Sequence, residues 1–352
     1  MVPFVVQICA AVGVVSLFSL WNGQKAINEL AEKVRNHVSS EVAIYLEAKL
    51  TLPHRINQLN LNAIESGSLN LQNFDQTGQT FWKQLQLFEV SYVNFANPEG
   101  EFIGAERLDD GTLLINERSR RLSDQKLHVY QTNNRGDRMQ RLATKPYNPL
   151  VEAWYTDAVK ARKPLWSAIY QWNDKPEILS ISASYPVYNQ SRQLIGVIGV
   201  DLILSEIDQF LRKIKISPSA KTFILERNGL LVASSSAKPA FKVESGQAKR
   251  LSAIDSPDSM IQTATQHLMQ RFGHLHQIQR SQTLDFVDHL GNREFLYVMP
   301  WRDELGLDWL IVVVVPEADF MGRLYENTRI TILLCFLALA VAILVGLMTS
   351  RW

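Results

Sequence analysis

LIGVIGVDLIL, Leu194 to Leu204, is apolar at odd and even positions alike, interrupted only by Gly196, Gly199 and Asp201. A strand with one wet face alternates, whereas a run apolar on both parities reads as a central strand covered on both sides. Two more strand-like runs precede it, Trp166 to Trp172 and Ile178 to Tyr188, and the short links between them imply antiparallel pairing. The stretch that follows, SEIDQFLRKIKI (Ser205 to Ile216), reads as a helix. Upstream, SYVNFANPEGEFIGAER places a hairpin turn at Asn97-Pro98-Glu99-Gly100, and LHVYQTNNRGDRMQRL repeats the idea around Asn133 to Gly136. Between these hairpins and the central run lies PYNPLVEAWYTDA, Pro146 to Ala158. Asn148 suits an N-cap, Pro149 a first helical position and Glu152 a first turn, so a helix from about Pro149 to Arg162 is expected.

A second cycle follows the first. TFILERNGLLVASS turns at Asn228-Gly229, Ser259 to Phe272 reads as a helix, and LDFVDHL, REFLYVMPW and DWLIVVVV read as strands. Two successive mixed modules of like layout, α+β with antiparallel sheets, are the simplest account. Ahead of them, Ile27, Leu30, Val34, Val38, Val42 and Leu46 recur at steps of three and four. They mark one stripe of a long amphipathic helix, suited to packing on its own domain and on the same helix of a second copy.

The 352 residues are 46% hydrophobic and 20% charged, a globular composition with length enough for two domains. With 36 basic and 35 acidic residues and no long single-sign run, the chain lacks the basic footprint of a nucleic-acid binder. The apolar residues concentrate at two places. Ile330 to Met348 is 19 residues without a charge, bracketed by Arg329 and Arg351, and Val2 to Trp21 is a second apolar stretch ending in an interfacial-type Trp. Both are expected to span a lipid bilayer. No Lys or Arg precedes the first, which favours an uncleaved anchor over a signal peptide. Both cysteines, Cys9 and Cys335, fall inside these spans, so the segment between them can form no disulfide, thiolate metal site or cysteine nucleophile.

The chain contains no H-E-x-x-H, G-x-S-x-G, Walker A or G-x-G-x-x-G pattern. Ser235-Ser236-Ala237-Lys238 matches S-x-x-K without its partner motifs, and His274 and His276 in GHLHQIQ read as surface histidines rather than metal ligands. Neither catalysis nor a cofactor is expected.

The order of parts, a membrane anchor, a long stalk helix, two PAS-like modules with GVIGVDLILSEI closing the first, and a second span ending in SRW, resembles the double Cache sensors of bacterial chemoreceptors, sensor kinases and cyclases. The resemblance covers nearly the whole chain. It implies spans at 2–21 and 329–350, a stalk at 22–58, a ligand-binding membrane-distal module at 59–215, a membrane-proximal module at 216–316 and an exit helix at 317–328. It implies further that residues 22–328 are extracytoplasmic, that the protein sits in the bacterial inner membrane as a homodimer, and that a HAMP or other output domain or partner protein lies beyond Trp352.

Family members that bind amino acids share a spaced set of pocket residues, which this chain matches at Tyr147, Trp154, Tyr155, Tyr170 and Asp201. It departs at two positions: Glu152 stands where the resemblance calls for a carboxylate-gripping Arg, and Trp172 where it calls for an Asp. A Glu repels a ligand carboxylate that an Arg fork would hold, so an α-amino acid is disfavoured. Aromatic walls with an anion at Asp201 suit a cationic or amphipathic small molecule, an amine first among them. The bland reading of the same residues is core packing for Trp154, a backbone turn for Asp201 and a helix terminus for Glu152. The whole then becomes a ligand-free scaffold.

Overall fold

The computed structural model describes residues 2–320 except 215, 245 and 246, together with Leu337, Ala340, Val341 and Leu344. A single helix, α1 (Val2–Glu65), opens the chain. The expected first span and stalk are one continuous helix, running past the expected end at 58. The expected second span lies outside the described residues apart from those four positions, and the exit helix is described only as far as Phe320. Among the described residues no helix is long and apolar enough to cross a membrane.

After α1 come α2 (Phe74–Leu87), then β1 (Tyr92–Ala96), β2 (Phe102–Arg107), β3 (Leu113–Arg118), β4 (Leu127–Thr132) and β5 (Arg138–Lys145). Next are α3 (Ala153–Ala161), β6 (Leu165–Trp166), β7 (Tyr170–Gln171), β8 (Leu179–Tyr188), β9 (Leu194–Ile203) and α4 (Leu204–Lys213). The nine strands form one antiparallel sheet ordered β5-β4-β3-β2-β1-β9-β8-β6, with β7 also pairing β8. The run that opens the sequence reading is β9, held between β1 and β8. Its even residues Ile198 and Val200 pack with Phe81, Trp82 and Leu85 of α2, while Val197 packs with Trp154 of α3. Both faces are therefore covered, which is why the sequence does not alternate.

The second unit comprises β10 (Lys221–Glu226), β11 (Leu231–Ser234), β12 (Phe241–Glu244), β13 (Gln247–Arg250), α5 (Ser259–Phe272), β14 (Gln282–Val287), β15 (Arg293–Arg302) and β16 (Asp308–Pro316). Five of these strands form the sheet β11-β10-β16-β15-β14, and β12 with β13 makes a separate ribbon. α1 joins the two units: Val38, Val42, Leu46 and Leu50 share one core with Leu179, Ile181 and Leu202 of the first sheet and Ile311, Val313 and Val315 of the second. The described part of the amphipathic stripe is thus buried within the chain itself.

Two local expectations are corrected. Rather than one helix from 149 to 162, Pro149–Val151 form a 3-10 turn capped by Asn148, whose side chain accepts from the Leu150 amide at 3.1 Å, and α3 starts only at Ala153. Glu152 is the extended joint between them, at φ −82° and ψ 147°, and caps nothing with its side chain. The expected strand from Trp166 to Trp172 is two separate two-residue strands, β6 and β7.

His54 of α1 is enclosed between the Trp166 ring at 4.5 Å and the Tyr185 ring at 5.7 Å, and among the described residues neither ring nitrogen has a hydrogen-bond partner. Burial pushes its pKa down to about 4. The folded state thus holds fewer protons than the unfolded chain, so the His54 contribution is complete above the unfolded pKa near 6.5 and is lost as pH falls from there towards 4. His54→Leu should flatten that acid-side loss and raise the melting temperature at pH 5 more than at pH 8, measured by thermal unfolding across that range.

Candidate functional site

The face of the first sheet turned towards α3 is polar at its centre. Register places Tyr92 of β1 opposite Asp201 of β9, and Asp201 opposite Ser182 of β8, while Asn94 lies opposite Gly199. Asn94, Ser182 and Asp201 are each at most 1% exposed. Gly199 is required beneath α3, since a Cβ there would stand 2.5 Å from Asn94 Oδ1 and 3.2 Å from Trp154 Cε3. Over this floor sit Trp154 from α3, Tyr147 from the segment before it, and Trp172 from the link between β7 and β8.

Glu152 turns inward from its extended joint and accepts three hydrogen bonds of 2.8 Å, from the Tyr147 hydroxyl, the Trp154 indole N–H and the Asn173 amide. Asp201 accepts from the Tyr170 hydroxyl at 2.9 Å on one oxygen, and its other oxygen has no partner within hydrogen-bond geometry among the described residues. All these donors are neutral, and among the described residues neither carboxylate has a Lys or Arg beside it. Burial raises the pKa of Glu152 against the three donors, and burial raises that of Asp201 to about 7.

Two further carboxylates stand outside this pair. Glu106 of β2 is ion-paired with Lys175 and accepts from Asn116 Nδ2 at 2.8 Å. Asp174 is paired with Lys145 at 3.1 Å.

Five of the seven residues singled out from sequence, Tyr147, Glu152, Trp154, Trp172 and Asp201, line one small cavity. Tyr170 supports it through Asp201. Tyr155 does not line it: the ring is buried beside that of Trp154, edge to face at 5.8 Å. Tyr92, Asn94, Leu127 and Asp174 complete the lining and were not foreseen. Only strand register brings Tyr92 and Asn94 here, so no local signal marks them, but Asp174 follows the Tyr170-Gln171-Trp172 triplet by two residues and was legible.

The expectation of a ligand-sized hollow is corrected. The space open to water is about 10 Å³, room for one water at most. Rings and carboxylates are assembled, yet they fill the space themselves. Among the described residues no group of three or more His, Cys, Asp or Glu side chains is placed to hold a metal ion.

The family model described as "Cache domain", in its double form dCache_1, matches residues 24–324. The chain belongs to the Cache family. Cache domains are extracytoplasmic sensory modules that bind small ligands. Similar solved structures include the ligand-binding domain of Mlp24 with asparagine, at 16% identity over 86% of this chain and 98% of that one, TM-score 0.51. The sensory domain of the Campylobacter jejuni chemoreceptor Tlp3 is similar at 10% identity over 87% and 98%, TM-score 0.50. At these identities the likeness is one of fold. No curated protein matches the sequence.

A Cache floor built around an enclosed, cation-free Asp has a measurable signature. Because the folded pKa of Asp201 lies above its unfolded value, the fold binds the extra proton, and stability declines as pH rises from about 4 to about 7. Asp201→Asn should remove that decline. By denaturant unfolding the variant should be more stable than wild type at pH 8, by on the order of a few kcal/mol, and converge with it near pH 4.

Proposed function

We propose that this Cache protein is a transmembrane receptor of the bacterial inner membrane that takes a small cationic amine between α3 and the sheet of its membrane-distal module, residues 59–215. The carrying observation is the pair of enclosed carboxylates, Glu152 and Asp201, in an aromatic box without a neutralising Lys or Arg among the described residues. An ammonium supplies the missing counter-charge, donates to the open Asp201 oxygen and packs on Trp154 and Trp172. A ligand carboxylate finds only like charge at Glu152, which argues against standard amino acids.

Anchoring at 2–21 and 329–350 is supported by the exposed apolar side chains Val15, Leu17, Phe18 and Trp21, and by Leu337, Val341 and Leu344. Ligand binding signals only if it favours one of two arrangements. The Trp172–Ile178 link is placed to serve: the Pro176 carbonyl accepts from the Ala248 amide of the β12–β13 ribbon at 3.2 Å, joining the pocket edge to the proximal module, 216–316. Near the membrane, the Gln24 amide donates to Glu317 at 2.7 Å, which couples α1 to the start of the exit helix, 317–328, and so to an output domain or partner protein in the cytoplasm. The outward face of α1, with Ile44 70% and Leu59 53% exposed, suits a parallel homodimer.

The second reading, a ligand-free scaffold, is favoured by the filled cavity and by the satisfied Glu152. A thermal-shift screen of the full chain against amines, amino acids, organic acids and purines separates the two. The receptor reading expects stabilisation by amines that is lost in Asp201→Ala and strengthens from pH 6 to pH 8 as Asp201 ionises; silence across all classes establishes the scaffold. Equilibrium sedimentation in detergent should show a dimer that Ile44→Glu with Leu59→Glu dissociates.

A further inference from the structure

The carboxylates at the pocket fall into two groups that the chain treats differently. Glu152 and Asp201, inside, meet only neutral donors. Glu106, outside, is met by the ammonium of Lys175, on the link between β7 and β8. The Glu106 side chain is 4% exposed and that of Lys175 19%, so the pair is largely withdrawn from water.

A single wall separates the two groups. The Lys175 ammonium stands 5.6 Å from the centre of the Trp172 ring, and Trp172 lies 5.3 Å from the ring of Tyr92. The Tyr92 hydroxyl accepts from Asn116 Nδ2 at 2.7 Å, and the same amide donates to Glu106. Both rings line the cavity. The chain thus places its own ammonium against the aromatic wall, paired with a buried carboxylate, and neither member of that pair lines the cavity. On the inner side Asp174 is answered by Lys145 at 3.1 Å, whereas Glu152 and Asp201 have no ammonium beside them among the described residues.

We infer that Lys175 determines the charge of the ligand: it fills from within the chain the outer position that the second ammonium of a diamine would take, so the site accepts monoamines and discriminates against diamines. This deepens the amine reading above and rests on it. With Lys175 in place, a dication brings its second charge towards an occupied and neutralised carboxylate and meets like-charge repulsion. Without Lys175, Glu106 is left buried and uncompensated, and a dication answers both groups together. Lys145 is a weaker candidate for this role, because it lies on β5 and its pair with Asp174 is more exposed, at 30% for the lysine side chain.

The test is calorimetric titration of the full chain in mild detergent, at about pH 7.5 and low ionic strength, with n-butylamine and with 1,4-diaminobutane. Wild type and Lys175→Arg should bind the monoamine more tightly. Lys175→Met, which keeps the stem and removes the charge, should move the ratio of the two affinities towards the diamine by roughly tenfold or more. Adding Glu106→Gln to Lys175→Met should cancel most of that gain. A folded Lys175→Met whose ratio stays within about threefold of wild type overturns the inference and leaves the amine reading standing. Should Lys175→Met not fold, wild type alone decides: a diamine bound as tightly as the monoamine overturns it. Absence of binding by either compound to every folded protein sinks the amine reading, and this inference with it.

Discussion

Enclosing two carboxylates beneath one short helix, with no cation among the described residues to neutralise them, is the constraint around which the nine-stranded sheet is organised. Moving an ionised carboxylate out of water is costly unless it is paired, and neutral donors compensate only in part. The neighbourhood bears the marks of that cost. β8 presents Ser180, Ser182 and Ser184 where a buried strand would ordinarily show Val or Ile, and all three are fully buried. Tyr147, Tyr170 and Trp154 are aromatic residues spent on donating as much as on packing. An apolar floor would be the more stable solution for a structural module, so the retained charge marks this face as more than core.

The same constraint explains the break in the helix at residues 149–162. Were Glu152 an ordinary first-turn residue, its side chain would project beside the helix axis towards its terminus. The extended backbone there, between the turn capped by Asn148 and the start of α3, turns the carboxylate down to the Tyr147 hydroxyl and the Asn173 amide. The cap and the proline were visible in sequence, but they close the short 3-10 turn and not the helix that carries Trp154 and Tyr155. Both aromatic residues are buried although they point in different directions, because α3 is only nine residues long and is packed on more than one side.

What could be read from the sequence was what periodicity and local turn chemistry encode. The two-sided β9, the hairpin turns, α5 and the stripe of α1 all announce themselves in contiguous residues. α2 passed unnoticed: Gly78 sits in its middle, where a Cβ would approach Ile103 Cδ1 to 3.2 Å, so close packing on the sheet costs the helix its propensity signal. The site divides along the same line. Trp154, Tyr155 and Asp201 stand in recognisable spacing, whereas Tyr92 and Asn94 join through the pairing of β1 with β9 across about a hundred residues, which no window on the sequence contains. Lys175 and Glu106, 69 residues apart, are equally out of reach, since their ion pair depends on how the link between β7 and β8 folds back towards β2.

That link also bears on how a filled cavity and a sensory fold coexist. Trp172 closes the pocket, the Asn173 amide holds Glu152, Lys175 holds Glu106, and Pro176 reaches the ribbon of the second unit, all within five consecutive residues. Anything that lifts Trp172 must loosen several of these contacts together, because seven residues between β7 and β8 leave little slack to absorb the movement. Meanwhile Trp166, anchored through its indole N–H to Asp303 at 2.5 Å, keeps the other end of this region fixed to the second unit and against His54 of α1. In the proposed receptor, a displacement beginning at the aromatic wall has two routes out of the sheet, to the ribbon through Pro176 and to α1 through Trp166 and His54.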